Sequence, residues 1–464
     1  MINRICVTLN IMIAALLICF SFGKAVSASE ESPPIQFTSK DRVLIIAPHP
    51  DDESIAAAGV IQQAIKAGAK VKVCLLTNGE NNEFAFIVYE RRIVLKPKEF
   101  LRLGQVRRQE SLDALLLLGV APEDVISLGY PDYGTMEVFL KYWGETKPFR
   151  SMLSRVRKVP YSDALAPESP YVGESILRDM KKVIVDFKPT KIFVSHPADV
   201  NRDHRAAYVF MQVALWDLEQ QGVILSPDVF SYIVHVPGWP VPRGYHPELA
   251  HKAPAVLDKA EIGWIEQPLS LDEVSKKYDA VLEYPSQIKY APRYLVTFVR
   301  HNELFGNFAS VELTRQLASD TELTWSTVGV NDPPRSHIKS DETDHFSQLA
   351  YARQGNYLLV RIVLKRLMDK EFGLSVFLFG YNPKVPFAQM PKINLLLGLN
   401  GFYIKDKKRT IHSKEVLLLE KDKELIFKVP LSLLGDPDRI LSCAKTAVYD
   451  LTLDETAWRV LELK

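Results

Sequence analysis

The sequence predicts an α/β protein with a mainly parallel sheet, helices on both faces, and a C-terminal β-sandwich. Three observations carry this. From residue 41 to about residue 236, short runs of apolar β-formers alternate with helix-length stretches, the pattern of a parallel sheet covered by helices. The leading run, Val43-Leu44-Ile45-Ile46-Ala47, reads as a buried strand that stops at Pro48-His49-Pro50-Asp51-Asp52-Glu53. After about residue 315 the pattern changes to many short β-like runs separated by turns, as in a sandwich.

The 464 residues are 47% hydrophobic and 24% charged, ordinary globular composition with room for two or three domains. The formal net charge of +1 points to no nucleic-acid partner and no general affinity for anionic surfaces. The N-terminus differs. Arg4 precedes an apolar run from Ile5 to Phe22, interrupted by Asn10, and small residues follow to Ala25-Val26-Ser27-Ala28. This reads as a signal peptide over residues 1–28, cut after Ala28. The alternative is an uncleaved anchor, the one route to membrane association. With cleavage the expected location is periplasmic or secreted; with the anchor it is the membrane. Of the cysteines, Cys6 and Cys19 lie in that leader, and Cys74 and Cys443 are far apart, so no disulfide framework is indicated.

Residues 29–40 read as a linker, 41–315 as the first domain and 319–464 as the sandwich. In the first domain the strands are Val43–Ala47, Val71–Leu76, Val125–Leu128, Lys191–Ser195 and Val229–Val236. The helices are Ser54–Gly68, Arg107–Leu118, Ser175–Phe187 and Asp203–Leu218. Residues 135–172 are rich in aromatics, basic residues and prolines without periodicity, and read as a long loop that covers a substrate. Asn331-Asp332-Pro333-Pro334-Arg335-Ser336 is a break. Beyond it the expected strands are Tyr357–Leu364, Leu374–Phe379, Ile393–Leu399, Val416–Leu419, Leu425–Val429, Ala447–Leu453 and Ala457–Leu463.

Ligands of open α/β sheets bind beyond the carboxyl ends of the strands. His49 and two adjacent carboxylates stand at such an end, and His with Asp is a metal-binding pair. A catalytic zinc takes three protein ligands, so His49 and Asp52 need a third from another strand end. The fourth strand runs into a loop with His196, Asp199, Asn201, Asp203 and His204. Asp51, beside Asp52, can reach a water on the metal and act as general base, which suits amide hydrolysis. One acidic turn alone is explained by the preference for charge at a helix N-terminus; two His/Asp loops after predicted strands are not.

These motifs resemble the PIG-L/LmbE-like zinc-dependent N-deacetylases. The resemblance rests on His49-Pro50-Asp51-Asp52-Glu53, Thr77-Asn78-Gly79-Glu80, Arg107-Arg108-Gln109-Glu110, Leu128-Gly129-Tyr130-Pro131-Asp132 and Asp203-His204-Arg205. Lys277 to Ala280, Ser286-Gln287 and Glu303-Leu304-Phe305 extend it, so that it covers about residues 41–306. It implies a Rossmann-like fold and removal of acetyl from N-acetylglucosamine-type sugars. It also implies Zn2+ on His49, Asp52 and His204, with Asp51 as base. Arg107 and Asp132 become candidates for holding sugar hydroxyls, against turn stabilisation and a salt bridge as the plainer roles.

Two positions depart from the family. Asn201 stands where many members have a histidine that steadies the oxyanion; its amide can still donate there, without carrying a proton. Tyr284 stands where a histidine often precedes the Ser-Gln pair. Beyond these, His196 is either a support for the ligands or a loop histidine. His235, after the fifth strand, is a candidate for bonding substrate, and Trp239 for stacking on a sugar, with core packing as the competing role for both. Phe377, Phe379, Tyr381, Phe402 and Tyr403 either line a carbohydrate surface or fill the sandwich core.

The reading that results is an exported zinc-dependent deacetylase acting on an N-acetylated sugar in a poly- or oligosaccharide. The alternatives are a non-catalytic glycan-binding protein and a zinc amidohydrolase on a non-sugar N-acyl substrate.

Overall fold

The first strand, β1 (Arg42–Ala47), is buried from Val43 onward. Its side chains alternate between two cores: Leu44 and Ile46 face one, Val43, Ile45 and Ala47 the other. A computed structural model describes residues 32–82, 87–88, 96–144, 146–223, 225–257, 262–320, 322–329, 346–366, 372–398, 401–448 and 451–464. The expected signal peptide with Cys6 and Cys19, and the break at Asn331–Ser336, lie outside the described residues.

Among the described residues a seven-stranded sheet is built from β1, β2 (Lys70–Thr77), β3 (Val125–Tyr130), β4 (Lys191–Ser195), β5 (Asp228–Tyr232), β6 (Gly263–Pro268) and β7 (Asn302–Asn307). Their order is β3-β2-β1-β4-β5-β7-β6. β1 to β5 are parallel, while β7 runs antiparallel to both β5 and β6. Helices α1 (Asp52–Lys66) and α2 (Pro97–Leu118) cover the face of Val43 and Ile45. Helices α3 (Thr135–Lys141), α4 (Gly173–Phe187) and α5 (Arg202–Gln220) cover the other, and α6 (Leu271–Leu282) packs on α1 and α2. This is the Rossmann-like fold the sequence predicts, with an antiparallel edge it did not. β6 and β7 escape the sequence reading because Gly263, Glu266, Gln267, Asn302 and Glu303 break the apolar run. The fifth strand ends at Tyr232, four residues short of the predicted Val236.

Residues 135–172 are the expected long loop only from residue 142 on, and that loop is packed against the domain; a helix the sequence reading did not give precedes it. Thr135–Lys141 is helical, and Trp143, Val159, Tyr161 and Tyr171 are buried. Tyr171 Oη donates to the Pro131 carbonyl at 2.5 Å. The Asp203 carboxylate, from α5, accepts from Thr135 N at 3.1 Å and so fixes the start of α3. That cap comes from 68 residues away and has no local signature.

The C-terminal region pairs into two mainly antiparallel sheets around a shared apolar core. One, in spatial order, runs Ser326–Val328, Phe346–Gln354, Tyr357–Leu364, Glu424–Pro430 and Leu417–Lys421. The other includes Gly401–Asp406, Lys392–Gly398, Phe372–Tyr381, Arg439–Val448 and Arg459–Leu463, and takes Val311–Leu313 at its edge. The sandwich thus begins at Val311, within residues the sequence reading gave to the first domain. The predicted strand Ala447–Leu453 is instead the end of one strand and the start of the next, Leu451–Glu455.

The aromatic side chains of Phe372–Tyr381 explain how the two regions join. Val376 and Leu378 enter the sandwich core, while Phe377, Phe379 and Tyr381 point the other way into the first domain's core. Phe379 and Trp458 lie 5.6 and 5.9 Å from Phe139 of α3, centroid to centroid, and Tyr381 lies 5.1 Å from Trp216 of α5. These buried rings line no carbohydrate surface. Phe402 is half-buried against Phe427, and Tyr403 is exposed. Because the core is continuous, Phe139→Ala is expected to cost about 3–5 kcal/mol and to lower one shared melting transition. Two separate calorimetric transitions in wild type would contradict this.

Candidate metal and catalytic site

In the strand order the chain reverses direction beside β1, which pairs with β2 on one side and β4 on the other. The crevice at such a switch point is where ligands bind in open α/β sheets. The turn after β1 carries His49, Asp51 and Asp52. The loop after β4 carries Asp199, Asn201, Asp203 and His204, and the chain after β5 carries His235.

His49, Asp52, His204 and His235 come together: each has one nitrogen or carboxylate oxygen within 4.8 Å of the others'. Asp52 Oδ2 lies 3.2 Å from His49 Nδ1 and 3.1 Å from His204 Nε2. His204 is fully buried, yet its Nε2 makes no hydrogen bond despite that closeness. A buried imidazole nitrogen aimed at a carboxylate and a second imidazole, without hydrogen-bond geometry, fits a shared cation. Two histidines and a carboxylate are a donor set for zinc.

The supports of this cluster are as specific as its members. Asp199 Oδ2 lies 3.2 Å from His204 Nδ1 and accepts from Val234 N and His235 N at 3.0 and 2.9 Å. Asp132 Oδ1 lies 3.1 Å from His49 Nε2. Carboxylates on the far nitrogens fix ring orientation and raise ligand basicity. Tyr294 Oη contacts both the Val234 carbonyl, at 3.2 Å, and His235 Nδ1, at 3.0 Å. The carbonyl can only accept, so both contacts are satisfied when Tyr294 donates to it and accepts from His235 Nδ1–H. That tautomer leaves His235 Nε2 with its lone pair.

Asp51 sits beside the cluster in an unusual backbone conformation, φ 115°, at the N-cap of α1. Such strain persists only where surroundings hold it. Here Ser54 N and Ile55 N donate to its carbonyl, and Arg107 Nη2 donates to Pro50 O at 2.7 Å and to Asp51 Oδ2 at 3.1 Å. Arg107 Nη1 reaches the Gly79 carbonyl, and a Cβ at residue 79 would stand 2.1 Å from that nitrogen. Only glycine, at φ +65°, fits there.

The electrostatics separate the two neighbouring aspartates. Burial pushes Asp51 up to about 7, with Arg107 opposing and the charges of Asp52 and Glu53 adding. Asp52 is as buried, but His204 and His49 hold it well below the usual carboxylate range. Burial disfavours a charged His204, yet Asp199 and Asp52 raise it to about 9. His235 is lowered to about 4, chiefly by burial. A metal must displace any proton on His204 Nε2. Zinc affinity is therefore expected to rise with pH, by up to about tenfold per unit between pH 7 and 9 for this proton alone. Titration of zinc against a chelator at several pH values checks the sign; a flat profile contradicts it.

Among the other candidates, Arg107 and Asp132 line the cleft over the cluster, a cavity of 290 Å3. Their polar atoms also bond within the protein, Arg107 to Asp51 and Asp132 to His49 and Asn81 N. Asn201 lines the cleft too; its Oδ1 caps α5 by accepting from Asp203 N at 2.8 Å, leaving the amide NH2 as donor. Tyr284 lies behind the cleft, its Oη on Glu53 Oε1 and Ser54 Oγ. His196 is a loop histidine: its Nδ1 accepts from Ala198 N, and burial lowers it to about 3. Trp239 packs on His251 and Phe298 and is not in the cleft. A larger groove of 920 Å3 lies at the opposite edge of the strands, by Arg42, Lys70 and Lys188, away from the cluster.

Sequence reasoning named Asp199 only within the loop that was to supply the third ligand, and gave no role to Tyr294 or to the exposed Tyr133 and Tyr290 at the cleft. Asp199 was within reach of it, two residues from Asn201 in a loop already marked. Tyr294 and Tyr290 lie some 90 residues further on and carry no local signal.

Fold and site together define a Rossmann-like α/β protein with a His/Asp cluster at its switch point. Residues 44–215 match the family model described as PIG-L: GlcNAc-PI de-N-acetylase. That stretch, which holds His49, Asp51, Asp52 and His204, is what the chain has in common with the PIG-L family. It is 32% identical over 188 residues to the 1D-myo-inositol 2-acetamido-2-deoxy-alpha-D-glucopyranoside deacetylase of Mycobacterium sp. (strain KMS), covering 40% of this chain and 54% of that protein. A protein of the same description from strain JLS matches equally. The chain spans about half the length of the curated relatives it matches. Similar solved structures include N,N'-diacetylchitobiose deacetylase from Pyrococcus horikoshii, with 19% identity, TM-score 0.31, and coverage of 53% of this chain and 70% of that one. They also include the 4-carboxy-2-hydroxymuconate hydratase of Pseudomonas putida KT2440, with 18% identity, TM-score 0.34, and coverage of 55% and 82%.

Proposed function

We propose that this protein is an exported, zinc-dependent N-deacetylase that removes acetyl from an N-acetylglucosamine-type sugar in a poly- or oligosaccharide. The observation that carries the reading is the pairing of Asp51 with Asp52: one carboxylate turned to the His49–His204 cluster, its neighbour held apart by Arg107 over the same cleft. A binding site alone has no use for that second carboxylate. The family match over residues 44–215 supports amide chemistry on N-acetyl groups.

His49, Asp52 and His204 would hold the zinc, with His235 Nε2 facing it as a further nitrogen. A zinc ion supplies a Lewis acid that acidifies water and polarises the amide carbonyl. Asp51 takes the proton of the attacking water. Arg107 holds its Oδ2, so the transfer goes to Oδ1, and the same carboxyl then returns the proton to the leaving amine. Asn201 NH2 is a neutral donor toward the oxyanion. Exposed Tyr133 and Tyr290 at the cleft offer ring faces to a sugar.

Among the described residues no helix is long and apolar enough to cross a membrane. Export rests on the apolar leader from Ile5 to Phe22 and the small residues up to Ala28. The test is to load the protein with zinc and measure acetate release from N-acetylglucosamine oligomers. Release with one free amine per acetate is expected. A zinc-loaded protein that binds these oligomers and never releases acetate overturns the reading in favour of a glycan binder.

A further inference from the structure

The residue after the proposed ligand His204 is a fully buried arginine whose partners lie mostly in the other domain. Arg205 Nε donates to the Asp199 carbonyl at 2.5 Å, Nη1 to the Thr456 carbonyl at 2.9 Å, and Nη2 to the Glu455 carbonyl at 3.2 Å. Glu455 Oε1 lies 3.6 Å from Nη1. Glu455 ends the strand Leu451–Glu455 and Thr456 opens the link to the next strand of the sandwich, some 250 residues away in the chain. That link is itself anchored: Thr456 N donates to the Ala444 carbonyl, and Thr456 Oγ1 accepts from Ala444 N at 2.9 Å.

The same loop of the first domain meets the sandwich again nearby. Ala457 packs with Ala198, Ile233 and Val236, and His196 lies edge-on to Phe308, over which Arg459 stacks. Arg205 and Ala457 therefore bracket the segment 196–205. Within that segment Asp199 supports His204 Nδ1 and the backbone of His235. The chain of contacts runs from sandwich carbonyls to guanidinium, to the Asp199 main chain, and through its carboxylate to the His204 imidazole and the His235 main chain.

We propose that the C-terminal sandwich is a structural half of the metal site, with Arg205 as the positioning residue that ties the His204 loop to it. This rests on the metal reading given above. A guanidinium suits that role because it stays charged and its planar fork serves three carbonyls at fixed angles. A lysine ammonium at the same place lacks that planar fork. The sandwich then acts through geometry at the cluster, and a sugar need never touch it.

The experiment uses the full chain and zinc itself as the probe. Zinc affinity is measured by chelator competition, and the cobalt-substituted protein's absorption spectrum reports ligand geometry. Arg205→Ala is expected to weaken zinc about 10–100-fold, the range seen when a group supporting a metal ligand is removed. Arg205→Lys should recover part of the loss. Thr456→Val, made entirely in the sandwich, removes the acceptor for Ala444 N and should weaken zinc several-fold with an altered cobalt spectrum. If Arg205→Ala does not fold, the other two variants decide. Should wild type bind zinc while folded Arg205→Lys and Thr456→Val match it in affinity and spectrum, the proposal falls alone. Should wild type bind no zinc, the metal reading fails and takes the proposal with it.

Discussion

Asp51→Asn is expected to keep zinc and to lose about 100- to 10,000-fold in turnover, the range for removing a positioned general base. That corresponds to about 3–5 kcal/mol of barrier. Asparagine is the informative replacement. It retains an oxygen for Arg107 and the size that holds the α1 N-cap, so the backbone turn survives while the proton acceptor does not. Its effect on folding has a definite sign. In the metal-free protein Asp51 is raised to about 7 from an ordinary value near 4, mainly by burial. A carboxyl raised on folding loses stability as pH climbs from about 4 through 7, because only the unfolded chain ionises it freely. The asparagine variant should therefore melt at the same or a higher temperature than wild type at pH 7 and above. A variant that melts lower and also loses zinc would move Asp51 from base to structural support. Full activity would end the base assignment.

His204→Ala is expected to weaken zinc by more than about 100-fold, beyond what losing a supporting group costs. The loss has two parts. One donor disappears, and Asp199 is left buried beside a void with its negative charge facing no imidazole. Stability should fall as well, since the ring is fully buried. Asn is a second choice that fills part of the volume and offers Asp199 an N–H. If His204→Asn binds zinc as wild type does, the third ligand lies elsewhere, and His235 is the nitrogen the geometry offers in its place. A His204/His235 double variant then decides between them.

Much of the site was legible because its parts are local. His49, Asp51 and Asp52 fall on one turn after an apolar strand, and Asp199 to His204 on another. A strand that ends in chemistry-bearing residues leaves a mark in the sequence. The mark fails where a role depends on a partner distant in the chain. Asp132 and Arg107 read as sugar-binding candidates from position alone. Their contacts to His49 Nε2 and Asp51 Oδ2 appear only once β3 and α2 are placed around the turn. His235 was marked as a candidate for substrate. Only the fold sets its ring 4.7 Å from that of His204, with Tyr294 fixing the tautomer.

The same division separates the two domains. Alternating apolar runs and turns are enough to announce a parallel sheet and then a sandwich, because side-chain periodicity is set by local backbone geometry. They could not say that Phe377, Phe379 and Tyr381 are buried against α3 and α5, since an aromatic face reads alike whether it meets a sugar or another domain. Nor could they place Arg205 under Glu455 and Thr456. By itself the sequence determined the sheet, its switch-point turn and the residues able to bind a metal. Tertiary structure decided which carboxylate supports which imidazole and made the sandwich continuous with the site. Those choices depend on pairings between residues far apart in the chain, and only packing in three dimensions selects them.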